Sequence, residues 1–457
     1  MNEKDTAVIA HKELSRLENS SVKLTVTINR EDVKKEYDSL LSEYSRTVQI
    51  KGFRKGKVPP SILELKFGEG LRDEAAHNLM EKALKEAFET IEEKPLPYSV
   101  PELQEDPELD LEKDYTFTVQ YDVFPEIKLG AYTGLEVEKP QVAITDEDLD
   151  RELKSIQEQN SVVIEKEDGA VSNGDIVTID YIELDETGAE KNDTKREGFV
   201  FTIGTGYNLY KIDDELLGMR KGEEKIIGKE YPAEFETAEL AGRKVSLKVK
   251  ITAIKEKKLP EINDELAQDV SEKYEKLEDL KADIRKRLED AAANGVRDKM
   301  VNALLDKIAE TTEVEIPASM IELELESSWR NFVNRFRAEE NQILALLEAQ
   351  GKTREDLYNE WRPDVLKNLK VRLAVEKIIE TEKIEVSDEE LEKEFEKEAD
   401  ENKMTLDQLK EYYTRNRLTE YFRDDLRRKK LYDHLIAQAK VKKGPSMKFL
   451  DLVQGNQ

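Results

Sequence analysis

Lys51-Gly52-Phe53-Arg54-Lys55-Gly56-Lys57-Val58-Pro59-Pro60 is the stretch on which the reading of this chain turns. Two glycines and two prolines cannot continue a helix, so the decapeptide is a loop. Upstream, Val22-Lys23-Leu24-Thr25-Val26-Thr27-Ile28 alternates as a half-buried strand does. A helix is predicted from Asn29, an N-cap with Asp32 three residues on, to about Gln49. Downstream, Ser61 and Glu64 read as the capping box of a second helix. The loop therefore joins two helix ends. Residues 44–63 hold Arg46, Lys51, Arg54, Lys55 and Lys57 and no acid, where the chain's acid content would place about four. Such a loop suits phosphate or carboxylate, and the N-terminus of the following helix adds positive potential. Phe53 between the charges is suited to enter an apolar notch or stack on a base. From composition alone the first reading is a solvated connection. It is not a Walker loop, because three residues separate Gly52 from Gly56-Lys57 and Val58 stands where Ser or Thr would reach Mg²⁺.

Working outward, Tyr115–Tyr121 and Gly134–Glu138 read as a further strand pair after the prolines at 95, 97 and 101. From about Asp168 to Lys257 the texture changes to short β-rich runs between glycines: Ile176–Tyr181, Phe199–Ile203, Lys225–Ile227 and Val245–Ile251. Beyond Leu259-Pro260 the chain reads as helical, with four glycines and four prolines in residues 260–457. Ser387 with Glu390 and Thr405 with Gln408 mark helix starts there. The fold class is thus α+β and multidomain. Residues 1–125 form an N-terminal α+β domain, 126–167 a linker, 168–257 an antiparallel β domain and 258–457 an all-α domain.

The 457 residues carry 73 Lys plus Arg against 102 Asp plus Glu, a formal charge of −29, with 38% charged residues. That balance argues against bulk affinity for DNA or RNA, though a local basic patch can still bind RNA. The absence of cysteine and the wide separation of His11, His77 and His434 leave no thiol chemistry, disulfide or clustered metal site, and no cofactor is expected. No run approaches eighteen apolar residues, so no membrane span is expected. Ala7-Val8-Ile9-Ala10 is too short for a secretory signal, and the chain reads as cytoplasmic.

Gly52-Phe53-Arg54-Lys55-Gly56-Lys57-Val58-Pro59 resembles the signature of bacterial trigger factors. The resemblance continues in order through Glu136-Val137-Glu138-Lys139-Pro140, Val177-Thr178-Ile179-Asp180-Tyr181 and Ile316-Pro317-Ala318. It implies an N-terminal domain docked on the large ribosomal subunit at the exit tunnel, touching ribosomal protein and rRNA. It also implies an FKBP-like peptidyl-prolyl isomerase domain and a C-terminal domain with helical arms. The expected partners are that subunit and nascent or unfolded polypeptides, held open as they leave the tunnel and passed on to folding and export; dimerisation off the ribosome stays open. By the resemblance Gly52, Phe53, Arg54, Lys55, Gly56 and Lys57 form the ribosome contact.

FKBP-like catalysis uses an aromatic pocket that excludes water and favours the twisted amide, against a barrier of about 18–20 kcal/mol. The resemblance places Tyr181, Phe199, Leu209, Ile212, Phe235 and Val249 around that pocket. Several positions depart from the pattern. The family's Val-Ile-Pro-Gly-aromatic run is Asn208-Leu209-Tyr210-Lys211-Ile212 here, so the floor is expected to lose a ring and gain Lys211. The Phe-Asp pair is Lys191-Asn192, with Asp193 one place late. An active isomerase and a β domain kept as a spacer or second binding head both remain open.

In the helical region Leu325, Trp329, Phe332, Val333 and Phe336 form one stripe, and Tyr413, Leu418, Tyr421 and Phe422 supply a second. A stripe like this is ordinarily core. With the arms the resemblance implies, Trp329, Phe332, Phe336, Tyr413, Leu418, Tyr421 and Phe422 become candidate client-binding residues. Three readings stand side by side: a ribosome-bound chaperone with an isomerase head, a free prolyl isomerase, and a helical scaffold for one folded partner. The acid-free loop favours the first, since an isomerase acting alone needs no RNA-facing tip.

Overall fold

The computed structural model describes residues 8–454 apart from 55, 106, 168, 236 and 238. The chain opens with a hairpin of β1 (Ile9–Arg16) and β2 (Ser21–Ile28), whose turn holds Asn19 and Ser20 in the left-handed region. Helices α1 (Arg30–Thr47) and α2 (Pro60–Thr90) follow, then β3 (Glu102–Leu103) and β4 (Tyr115–Asp122). The sheet is antiparallel in the order β1-β2-β4-β3, with Leu24 opposite Val119 and Val26 opposite Phe117. Alternation sends Val22, Leu24, Val26 and Ile28 to the same face as Tyr115, Phe117, Val119 and Tyr121. That face is covered by Val33, Tyr37 and Leu40 of α1 and by Leu71, Ala75, Leu79, Ala83 and Ala87 of α2, whose alanines let the helix lie close. On the other face Thr25 and Thr27 pair with Thr118 and Thr116 at 3.0 and 2.9 Å.

The two helix starts differ from the sequence-based reading. Asn29 is the N-cap of α1, but its side chain makes no capping bond. The Ser61–Glu64 box does not form, because α2 begins at Pro60 with Pro59 as its N-cap. Proline at the first helical position has its φ already fixed and needs no side-chain cap.

Residues 126–167 hold more structure than a tether: β5 (Ile127–Lys128), β6 (Glu136–Val142), α3 (Asp146–Gln159) and β7 (Val162–Glu165). The antiparallel β domain contains β8 (Ile176–Leu184), β9 (Arg196–Thr202), the single turn α4 (Asp213–Leu216), β10 (Glu224–Glu230) and β11 (Lys244–Lys258). Its order is β10-β11-β8-β9, and β7 pairs with the far end of β11. Val177, Ile179 and Tyr181 of β8 meet Leu247, Val249 and Ile251 of β11 and Ile212 and Leu216 around α4 in one core.

The remaining elements are α5 (Asp264–Val270), α6 (Leu277–Thr311), β12 (Glu313–Val314, paired with β5), α7 (Ala318–Arg335), α8 (Glu340–Ala349), α9 (Arg354–Glu382), α10 (Asp388–Glu401), α11 (Leu406–Arg415), α12 (Thr419–Gln438), β13 (Lys440–Met447) and α13 (Phe449–Gln454). The capping boxes at Ser387–Glu390 and Thr405–Gln408 form, and Thr353–Asp356 supplies a third at the start of α9. Contacts divide the chain into two units, Met1–Lys139 with Asp298–Lys443, and Pro140–Arg297 with Gly444–Gln457. In the first, Leu96 packs with Met320, Leu325, Val365, Leu369 and Leu373, and Asp122 Oδ2 accepts from the Ser319 amide at 2.9 Å. The end of the N-terminal sheet thereby caps α7. In the second, α13 lies so close to α6 that a Cβ on Gly295 would stand 2.9 Å from the Leu452 side chain. Among the described residues no helix is long and apolar enough to cross a membrane.

Candidate functional site

The basic loop stands on its own small apolar base. Ile50, Val58 and Leu63 are buried together, with Leu41, Val48 and Ile62 partly covering them, apart from the main sheet–helix core. Turns fix what lies between: the Phe53 amide donates to Ile50 O at 3.0 Å and the Lys57 amide to Arg54 O at 2.9 Å. Gly52 and Gly56 sit at φ +100° and +81°, which a side chain at either place would resist. Lys51, Gly52, Phe53, Arg54, Gly56 and Lys57 are all exposed, Phe53 by 38% despite being a large aromatic. Lys55 lies outside the described residues. The start of α2 offers less than its charge pattern suggests. Two prolines lack N–H groups, and the Ile62 and Leu63 amides already bond Pro59 O, so positive charge at this tip comes from side chains.

A second constellation lies in the β domain. Tyr181 is edge-on to Phe199 at 5.9 Å and to Tyr210 at 5.4 Å, and Tyr231 lies 4.7 Å from Phe235. The Tyr231 hydroxyl donates to Tyr210 O at 2.7 Å, joining the two groups. Ile212 and Val249 are buried beneath, while Leu209 is exposed. Tyr181, Phe199, Ile212, Phe235 and Val249 thus share one cluster, with Leu209 at the surface.

The expectation that Lys211 enters the floor is corrected. Lys211 is exposed in the left-handed region at φ +49°, and its Nζ donates to Gly206 O at 2.8 Å. That twist turns Lys211 out and Tyr210 in. Asn208 and Asp213, both buried, hold it: Asn208 Oδ1 accepts from the Ile212 amide at 2.9 Å, its amide nitrogen bonds Asp213, and Asp213 Oδ1 accepts from the Gly204 amide at 2.8 Å. Burial, then the Glu215 and Glu183 carboxylates, push the Tyr231 phenol up to about 12, so it remains a donor at neutral pH. Burial likewise raises the Tyr181 phenol, against a lowering by Arg196.

The apolar stripes divide. Trp329 is 1% exposed; its indole donates to Glu340 at 2.7 Å and the Arg354 guanidinium lies 5.0 Å over its ring. It is a core residue and presents no surface for a client. Phe332 packs on it, partly buried. Phe422 stacks on Phe395 at 4.7 Å, and Tyr413 joins the same cluster with its hydroxyl donating to Glu398 at 2.9 Å. Leu418 is half-buried, its amide closing the end of α11 on Tyr413 O at 2.8 Å. Phe336 is 52% exposed and Tyr421 70%. Leu323, Leu346, Met404 and Tyr412 are exposed as well and belong to neither predicted set. Among the described residues no group of three or more His, Cys, Asp or Glu is placed to hold a metal ion.

The family model described as bacterial trigger factor protein matches residues 11–156, and that for the trigger factor C-terminus matches 276–437. Residues 167–256 match the FKBP-type peptidyl-prolyl cis-trans isomerase model. The trigger factor of Treponema denticola is 40% identical over 97% of this chain and 99% of its own, and that of Borrelia hermsii 36% over 98% and 99%. A solved structure titled "Promiscuous Substrate Recognition in Folding and Assembly Activities of the Trigger Factor Chaperone" aligns with a TM-score of 0.50 and 25% identity over 93% of this chain and 99% of that one.

The chain belongs to the trigger factor family.

As a trigger factor it is a ribosome-associated chaperone with an FKBP-type peptidyl-prolyl isomerase domain. The site features that sequence reasoning missed are Tyr210 and Glu183. Glu183 had a signal, since it continues the inward alternation Val177, Ile179, Tyr181 along β8 and so places a carboxylate on the core face.

Proposed function

We propose that this trigger factor works in the cytoplasm on the large ribosomal subunit, beside the exit of the nascent-chain tunnel. The loop from Gly52 to Lys57 makes the contact. Arg54, Lys55 and Lys57 meet rRNA phosphates or acidic side chains, and Phe53 enters an apolar notch in a ribosomal protein. The observation that carries this reading is the display of an acid-free basic loop, tipped by an exposed Phe53, on its own apolar base in a chain of formal charge −29. Emerging chains are held on exposed apolar side chains rimmed by charge, Phe336 and Tyr421 among them, while the FKBP-type domain isomerises their Xaa-Pro bonds.

Co-sedimentation with 50S subunits across a salt series tests the contact. Replacing Phe53, Arg54 and Lys55 together by Ala is expected to abolish binding in a chain with unchanged circular dichroism, because the base at Ile50, Val58 and Leu63 is untouched. Undiminished affinity in that folded variant sinks the reading.

A further inference from the structure

Glu183 is 5% exposed in β8, beneath the aromatic cluster of the β domain. Its Oε1 accepts from the Tyr210 hydroxyl at 3.0 Å, and its Oε2 faces Lys191 Nζ at 3.5 Å and Arg243 Nη2 at 3.4 Å. The Glu183 amide donates to Thr194 Oγ1 at 3.0 Å, so the turn after β8 fixes the backbone that carries the carboxylate. A carboxylate so buried requires compensation, and the two cations with the phenol supply it. Tyr210 in turn has its ring edge-on to Tyr181, its carbonyl bonded by Tyr231 and its chain direction set by the left-handed Lys211. Burial, then the hydrogen bond to Glu183, raise the Tyr210 phenol far above the ordinary range, which keeps it a donor.

We infer that Tyr210 is a ring of the prolyl site in this chain and that Glu183 is its positioning residue, holding that ring against Tyr181 through the phenol hydrogen bond. The inference rests on the isomerase reading of the β domain. It accounts for the aliphatic Ile212: a ring two residues earlier, turned inward by the twist at Lys211, takes up the aromatic contact that Ile212 cannot make. A planar ring fixed edge-on shapes an apolar slot for a pyrrolidine, and a ring free to rotate does not.

The test uses the full chain, measuring kcat and KM for an Xaa-Pro peptide without a coupling protease, and Kd for the same peptide by NMR titration. Tyr210→Phe keeps the ring and loses the bond; Glu183→Ala removes the acceptor; Glu183→Gln retains one. The first two are expected to lower kcat/KM roughly tenfold each, the loss of a charge-assisted hydrogen bond, while Glu183→Gln stays near wild type. The double variant Tyr210→Phe with Glu183→Ala is expected to fall no further than the lower single variant, since both remove one interaction. Strict additivity, no effect of Glu183→Ala in folded protein, or a rise in activity on Tyr210→Ala would each overturn the assignment, the last because the ring would then be filling the slot. Absence of wild-type turnover would instead defeat the isomerase reading, and the Kd ratios among the variants would still decide the role of Glu183.

Discussion

Trp329 and Tyr421 come from sequence stripes that look alike, and their surroundings give them opposite roles. Trp329 loses nearly all its surface to Phe332, Ile343, Leu347 and Leu357 and is tied to Glu340 and Arg354, so Trp329→Ala should cost about 3–5 kcal/mol. Tyr421 and Phe336 give up much less surface, and Ser at either should change stability by under about 1 kcal/mol while weakening the hold on unfolded protein. Chemical denaturation beside an aggregation-suppression assay separates the two. Large destabilisation at Phe336 and Tyr421 would return them to the core and remove them from the client surface. Sequence periodicity could not make this division. It reports which residues share a helix face, whereas exposure depends on which neighbouring helix covers that face. A local limit hid Tyr210: the family resemblance implied that Lys211 enters the pocket floor, and the positive φ at Lys211, which turns that side chain out and Tyr210 in, cannot be read from residue types alone.

At the level of the element, the starts of α10 and α11 were legible, those of α1 and α2 were misread in their capping, and helix ends were not legible. Ser387 and Thr405 each accept from the amide three residues on, a side-chain chemistry written in the sequence. The ends of α7, α9, α10 and α11 instead place Arg337, Lys383, Lys403 and Arg417 in the left-handed region, where glycine is the usual signal. Each accepts local strain, and its positive charge sits favourably at a helix C-terminus. The 6→1 bonds from Ile384 to Ile379 O, Met404 to Ala399 O and Leu418 to Tyr413 O complete these turns. Leu418 therefore has a structural task that accounts for it without a client. Capping across distant sequence is equally invisible in a linear reading: Asp122, at the end of β4, serves the start of α7 through Ser319. Asp122→Ala and Ser387→Ala should each cost about 1 kcal/mol, read as a shift in the urea midpoint at constant slope. Hydrogen exchange should quicken in the first turn of α7 for the former and of α10 for the latter. Unaltered exchange there would mean the caps are redundant.

Across the whole molecule the excess of acids sets two salt effects against each other. With 102 acids and 73 bases, negative charge exceeds positive by 29, an excess that no arrangement of ion pairs can neutralise. Exposed pairs such as Lys34–Glu112 and Lys442–Glu136 contribute little to stability, and salt weakens them. The unpaired excess repels over longer distances, and screening relieves that repulsion once the Debye length falls to about 10 Å at 0.1 M. Because the short pairs are screened less than the long-range repulsion, added salt should raise the melting temperature at neutral pH. Acid acts differently on the paired groups. Hydrogen bonds from Lys430 and Lys429 hold Glu390 and Glu394 below the ordinary Glu value of 4.5, so what they contribute is present at neutral pH and is lost as the pH falls through their lowered values. Melting should therefore drop below about pH 4, where the chain has also passed its isoelectric point of about 4.8 and gains positive charge. If the loop at Gly52–Lys57 makes the proposed contact, binding there should respond to salt with the opposite sign, since a contact between its cations and phosphates releases counterions and weakens as salt rises. Going from low ionic strength to about 0.15 M, thermal stability and 50S affinity should move in opposite directions. A parallel rise or fall would show that the tip is held by apolar contact through Phe53 more than by charge, or that the ion pairs outweigh the acidic excess. Two separate variants distinguish these: Phe53→Ala should weaken binding and keep its salt dependence, whereas Arg54→Ala with Lys57→Ala should reduce that dependence, and both should keep the salt dependence of melting.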